Sequence, residues 1–175
     1  MIAMLASVTT IEEAGIALEG GADMIDLKDP ASGALGRLET ITIRNIVKSI
    51  GGRRRVSATI GDQPMQPGVI AKLVEEIAAT GVDYVKIGLA ANKSALSVIH
   101  ALAPFTQQFR LIAVFFADQN IDAIPFDALQ GGGFSGVMLD TFNKGKGSLR
   151  DVASTVQIDH FVNAAKSRSL LCGLA

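Results

Sequence analysis

Cysteine is nearly missing from this sequence, with Cys172 the only one among 175 residues. A single thiol allows no internal disulfide and no thiolate metal cluster, and Cys172 itself reads as a small core residue. Histidine is almost as rare. His100 and His160 lack metal-ligand spacing and read as structural, so no metal and no other cofactor is expected. An excess of one charge is absent too: 16 basic and 17 acidic residues leave a net charge of −1. The one run of like charge, Arg53-Arg54-Arg55, precedes an expected strand, and a nucleic-acid partner would need a wider basic face. The apolar start Met1–Val8 lacks a basic flank and is too short for a signal peptide or a membrane span. No membrane association is expected, and the expected compartment is the cytoplasm. No Ser-His-Asp set, P-loop or zinc motif occurs.

What is present is an ordinary globular composition, 49% apolar and 19% charged with 18 glycines, enough for one well-buried core. A first strand over Ile2–Val8 runs into a capping box, Thr9 with Glu12 or Thr10 with Glu13, and a helix that ends at Gly20-Gly21. Strand two, Met24-Ile25-Asp26-Leu27-Lys28, leads into the Gly-rich loop Asp29–Gly36 and a helix over about Thr40–Ile50. Strand three is Arg55–Ile60, followed by a helix from Pro67 with Val69, Ile70, Leu73, Val74 and Ile77 at helical spacing. Strand four carries Lys86, and a helix over about Lys93–Ala103 stops at Pro104. Strand five is the continuous apolar run Phe109–Phe116, which predicts burial on both faces. A short helix near Pro125–Gln130, strand six at Gly136–Thr141, a helix over about Asp159–Ser167 and a seventh strand at Leu170–Ala175 complete the pattern.

Seven strands alternating with six helices predict a parallel sheet with right-handed crossovers. A dinucleotide-binding sheet would place a Gly-rich turn directly after strand one, and Ser7-Val8-Thr9-Thr10 has no glycine. A (β/α)8 TIM barrel predicts functional charges at the C-terminal ends of several strands, which strands two, four and six carry. The expectation is a single α/β barrel domain over residues 1–175. It lacks strand eight and its last helices, so the sequence is expected to be C-terminally incomplete.

Strand alternation places Asp26 with Lys28 on one face, Lys86 opposite Val85 and Ile87, and Asp140 opposite Leu139. Alternate strands supply each layer of a barrel interior, so these even-strand charges predict one polar centre. A lysine has an ordinary pKa of roughly 10.4. Partial burial and a second ammonium nearby disfavour its charged form and suit it to imine formation with a carbonyl. The carboxylates can position amines and shuttle protons. Ser57, Thr59 and Asp62 at the top of strand three are candidate substrate contacts. Lys144 and Lys146, in a glycine-spaced loop, are candidate phosphate ligands or a solvated loop.

Met24-Ile25-Asp26-Leu27-Lys28-Asp29-Pro30 with Gly33-Ala34-Leu35-Gly36 resembles the (5-formylfuran-3-yl)methyl phosphate synthase family. So do Val56–Asp62, Tyr84–Leu89 and Val137–Thr141, and the similarity runs through the whole chain in order. The resemblance implies a TIM barrel that condenses two glyceraldehyde 3-phosphate molecules, with loss of water and one phosphate, to the furan precursor of methanofuran and methylofuran. It implies Lys28 as the Schiff-base lysine, Lys86 as the proton-transferring lysine, Asp26 and Asp140 as supporting acids and Lys144 as a further active-site lysine. The implied partner is a small phosphorylated substrate, and a homo-oligomer is left open. Two departures stand out. Gly145-Lys146-Gly147 shifts a second loop lysine by one position, and family members continue past Leu174-Ala175. The phosphate anchors are therefore expected outside these 175 residues, and this stretch alone is expected to be inactive. Rival readings are another class I aldolase or isomerase on a sugar phosphate, and a non-catalytic barrel subunit.

Overall fold

The computed structural model describes residues 2–143, 145 and 147–175. Among them seven strands form one parallel sheet: β1 Leu5–Val8, β2 Met24–Leu27, β3 Arg55–Thr59, β4 Tyr84–Gly88, β5 Leu111–Phe116, β6 Gly136–Asp140 and β7 Leu171–Leu174. Their spatial order is their order in the chain. The helices between them are α1 Ile11–Glu19, α2 Thr40–Ile50, α3 Pro67–Ala78, α4 Lys93–Leu102, α5 Phe126–Gly131, α6 Leu149–Val152 and α7 Thr155–Ser167. Consecutive strand order is that of a barrel wall, whereas a dinucleotide-binding sheet reverses direction at a switch point.

The curl of the wall follows from one contact. Strands β2 and β6 are four positions apart, which in a flat sheet is about 19 Å. Lys28 on the β2 side nonetheless reaches Asp140 of β6, with Nζ 3.5 Å from Oδ2. Only a sheet rolled toward closure brings those side chains together across its interior. Seven of the eight strands of a TIM barrel are therefore present.

Strand alternation divides the apolar residues between two cores. Ile25, Leu27, Val56, Ala58, Val85, Ile87, Leu111, Ala113, Phe115, Val137 and Leu139 face outward and pack with helix residues such as Ile43, Ile70 and Phe161 in one large cluster. Val114, Phe116 and Met138 face inward with Ile112 and form a second, smaller cluster with Ala34 and Leu35. β5 is thus buried on both faces, as its unbroken apolar run predicts.

Local signals set the helix starts. Thr10 accepts the Glu13 amide at 3.1 Å, while the Glu13 carboxylate accepts from the Thr9 amide at 2.6 Å. The expected helix near Asp159 starts earlier, at Thr155, and α6 precedes it. Both starts carry capping boxes. The Ser148 amide donates to Asp151 at 2.7 Å, and Gln157 donates its amide to Ser154 Oγ at 3.3 Å. Strand one is shorter than expected, because register with β2 begins at Leu5 and Ile2 is 99% exposed. Cys172 corrects a second expectation. It is exposed, not a core residue, because β7 is an edge strand among the described residues, paired along β6 alone.

Candidate active site

The centre is built on β2. Asp26 is fully buried and sits in register between Ser7 of β1 and Ser57 of β3. Ser57 Oγ donates to Asp26 Oδ1 at 2.6 Å, and Ser7 Oγ donates to Oδ2 at 3.2 Å. One row further along, Lys86 of β4 lies beside Thr59. Its Nζ turns back to Asp26 Oδ2 at 2.7 Å, with the lysine side chain 2% exposed.

Lys28 projects from the same face as Asp26, two residues on. Its side chain retains 11% exposure, and its Nζ meets Asp140 Oδ2 at 3.5 Å. Asp140 Oδ1 also accepts the Thr141 amide at 2.7 Å. Two lysine–aspartate pairs therefore interlock across three even strands. β2 supplies one acid and one lysine, β4 the lysine for its acid, and β6 the acid for its lysine. The sequence brings the charges to one face, and the structure adds who pairs with whom.

The loop after β2 folds back over this centre. Asp29 Oδ1 accepts the Ala31 amide at 2.9 Å and Oδ2 accepts from Ser32 Oγ at 2.5 Å. The Ser32 hydroxyl, and after it the Ala31 amide, hold the Asp29 carboxyl below its ordinary pKa. The Asp29 amide closes the neck on the Gly36 carbonyl at 2.9 Å, so tightly that a Cβ at Gly36 would clash with the Asp29 carbonyl oxygen. Between the ends, Leu35 is driven into the inner apolar cluster, fully buried. Gly88 makes the space, since a Cβ there would stand 2.7 Å from Leu35 Cδ1.

The three residues predicted as substrate contacts occupy supporting places around this frame. Ser57 donates to Asp26, as above. Thr59 Oγ1 donates to the Leu35 carbonyl at 3.1 Å, and Asp62 Oδ2 accepts the Leu35 amide at 3.3 Å. Lys144 and Lys146 lie outside the described residues. The preceding stretch is held by Asp118, whose carboxylate accepts the amides of Phe142 at 2.8 Å and Asn143 at 3.1 Å. Ser7, Leu35 and Asp118 were not anticipated. Ser7 was findable, since strand alternation places it two residues from Leu5 on the inner face. Leu35 and Asp118 act through loop geometry that no period encodes.

Among the described residues no three histidine, cysteine, aspartate or glutamate side chains gather as metal donors. Nor is any helix among them long and apolar enough to cross a membrane. What the arrangement offers is amine and carboxylate chemistry in a largely dry interior: one lysine with access to solvent, one without, each next to an acid.

A parallel barrel wall with its reactive side chains at the C-terminal ends of even strands is the architecture of the TIM-barrel enzymes. Copper homeostasis protein CutC from Streptococcus agalactiae, as provisionally named, shares this fold. It aligns with a TM-score of 0.75 at 17% identity, over 99% of this chain and 87% of its own. The 4-HFC-P synthase family matches residues 4–175, and the chain belongs to that family. A (5-formylfuran-3-yl)methyl phosphate synthase from Methanopyrus kandleri is 35% identical over 184 residues, spanning 98% of this chain and 78% of its own. A relative from Methylorubrum extorquens, provisionally given the same name, is 40% identical over 173 residues, spanning 98% of this chain and 71% of its own.

Proposed function

We propose that the protein is a (5-formylfuran-3-yl)methyl phosphate synthase that joins two glyceraldehyde 3-phosphate molecules through an imine on Lys28. The observation that supports this reading above the others is the interlocked pairing of Lys28 with Asp140 and of Lys86 with Asp26. It sets two amines and two acids around one space, with Lys28 the more accessible.

The Lys28 amine attacks the carbonyl carbon of one triose phosphate, and the carbinolamine loses water to give the iminium. That triose phosphate reacts as its ketone isomer, so the iminium carbon is C2. The second molecule loses a proton from C2 and phosphate from C3, and C3 of the resulting enol adds to the iminium carbon. The C1 hydroxyl of the first molecule closes on the C2 ketone of the second, and loss of water and expulsion of the Lys28 amine complete the furan. One phosphate and two waters leave in all, which balances two triose phosphates against the furan aldehyde monophosphate. Lys86 carries protons in these steps, with Asp26 orienting it, and Asp140 orients Lys28. Lys144 neutralises charge on the substrate. Thr59 and Asp62 act on substrate by fixing the Leu35 loop that closes over the centre. The product supplies the furan of methanofuran and methylofuran, and the reaction takes place in the cytoplasm.

Borohydride trapping of the full-length protein with glyceraldehyde 3-phosphate, followed by peptide mass mapping, tests this. The expected result is a reduced adduct on the peptide holding Lys28, with release of inorganic phosphate and a furan chromophore on turnover. An adduct on Lys86 would reverse the two roles. An adduct without phosphate release would make the protein an ordinary class I aldolase, and no adduct in substrate-binding protein would make it a non-catalytic barrel.

A further inference from the structure

Asp26 is bound on both of its oxygens, and the donors are unequal. Oδ2 takes Lys86 at 2.7 Å and Ser7 at 3.2 Å, whereas Oδ1 takes Ser57 at 2.6 Å. Ser57 is 1% exposed and Asp26 0%, so the bond is closed to water. It is also fixed by the backbone, because Ser57 is the register partner of Asp26 across the β2–β3 ladder. A hydroxyl donated to an ionised carboxylate is among the stronger hydrogen bonds, and a dry site strengthens it further. The torsion that turns a carboxylate about its own axis is soft. Without a donor on Oδ1, nothing in the β3 wall would hold Oδ2 toward Lys86.

We propose that Ser57 is a positioning residue: its hydroxyl pins the Asp26 carboxylate so that Oδ2 engages Lys86. That keeps Lys86 as the proton carrier and leaves Lys28, with its longer 3.5 Å contact, as the lysine that attacks the carbonyl. The inference deepens the synthase reading and rests on its assignment of roles to the two lysines. Ser7 assists from the exposed β1 edge, with the weaker bond.

Competitive trace labelling of the full-length protein with acetic anhydride, read by mass spectrometry, tests the pinning without substrate. In the unaltered protein Lys28 is expected to label faster than Lys86. In Ser57→Ala, labelling of Lys86 should rise roughly tenfold, as expected for loss of one charge-assisted bond, while Lys28 changes by less than about twofold. Ser57→Thr, which keeps the hydroxyl, should restore the original contrast. Ser7→Ala should shift Lys86 by about twofold, and it serves as the second variant if Ser57→Ala does not fold. In turnover, Ser57→Ala should lower kcat about 10–100-fold with KM nearly constant and the borohydride adduct on Lys28 retained. Unchanged Lys86 labelling, or an equal rise at both lysines, would overturn the proposal. Absence of a Lys28 adduct in the unaltered protein would instead sink the imine mechanism, and the labelling contrast would still decide the role of Ser57.

Discussion

The inner face of the barrel wall is divided into two unlike halves. Over β1 to β4 it carries Ser7, Asp26, Lys28, Ser57, Thr59 and Lys86, and over β5 and β6 it carries Ile112, Val114, Phe116 and Met138. Among the described residues of that half, Asp140, at the end of β6, is the charge that reaches across. The halves depend on each other. Four ionisable groups facing one another around open water would interact weakly, whereas a hydrocarbon wall strengthens every charge–charge contact in the space between. The apolar half in turn is completed by Leu35, which the polar half holds in place through Thr59 and Asp62.

Breaking the polar half should show how differently its two pairs are embedded. Lys86→Met leaves the fully buried Asp26 without its cation and should cost about 3–5 kcal/mol of unfolding free energy. Lys28→Met removes a longer, partly exposed contact from an acid that keeps the Thr141 amide, and should cost less than about 1.5 kcal/mol. Denaturant titration of the two variants against the unaltered protein measures both. Equal costs would mean that the pairs are equally embedded.

Breaking the apolar half has a smaller expected effect than losing Lys86. Leu35→Ala should cost about 2–3 kcal/mol, the lower part of the range for a buried leucine, because its loop can settle into part of the space. The same variant should admit water beside the lysines, seen as faster hydrolysis of the proposed Lys28 imine in a trapping time course. A stability loss with an unchanged imine lifetime would make Leu35 packing alone.

The smallest effect sharpens the hinge between the halves. Because the folded Asp29 carboxyl is held below its ordinary pKa, its contacts with the Ser32 hydroxyl and the Ala31 amide are in full force above that ordinary value. They weaken as the pH falls through the folded one. Hydrogen-exchange protection of the Ala31 amide should therefore fall below about pH 4 while protection within β2 persists. A parallel fall in both would show that the Asp29 turn does not titrate separately.

Much of this division is legible in the chain itself. Period-two alternation is a local property, so it places Asp26 with Lys28 and sets Lys86 and Asp140 against their apolar neighbours without knowledge of any partner strand. The βα repeat and the absence of a glycine turn after β1 predict the barrel over the doubly wound sheet. The helical stretch after β6 begins earlier than apolar periodicity predicts, because Ser148 with Asp151 and Ser154 with Gln157 are capping boxes embedded in polar sequence. Cys172 departs from the core position expected of it because strand identity does not reveal whether a strand lies at an edge.

By itself, then, the sequence determined the order of strands and helices, the face on which each charge lies and the family to which the chain belongs. All of these follow from spacing within a few residues or from motifs read in order. Only the tertiary structure decided that Lys86 pairs with Asp26 and Lys28 with Asp140. The second pair joins residues 112 positions apart, and it forms because the sheet curls. It also decided that Ser57 serves a carboxylate and that Leu35 fills the interior. Both depend on how neighbouring strands and a loop register in space, which alternation along one strand does not carry.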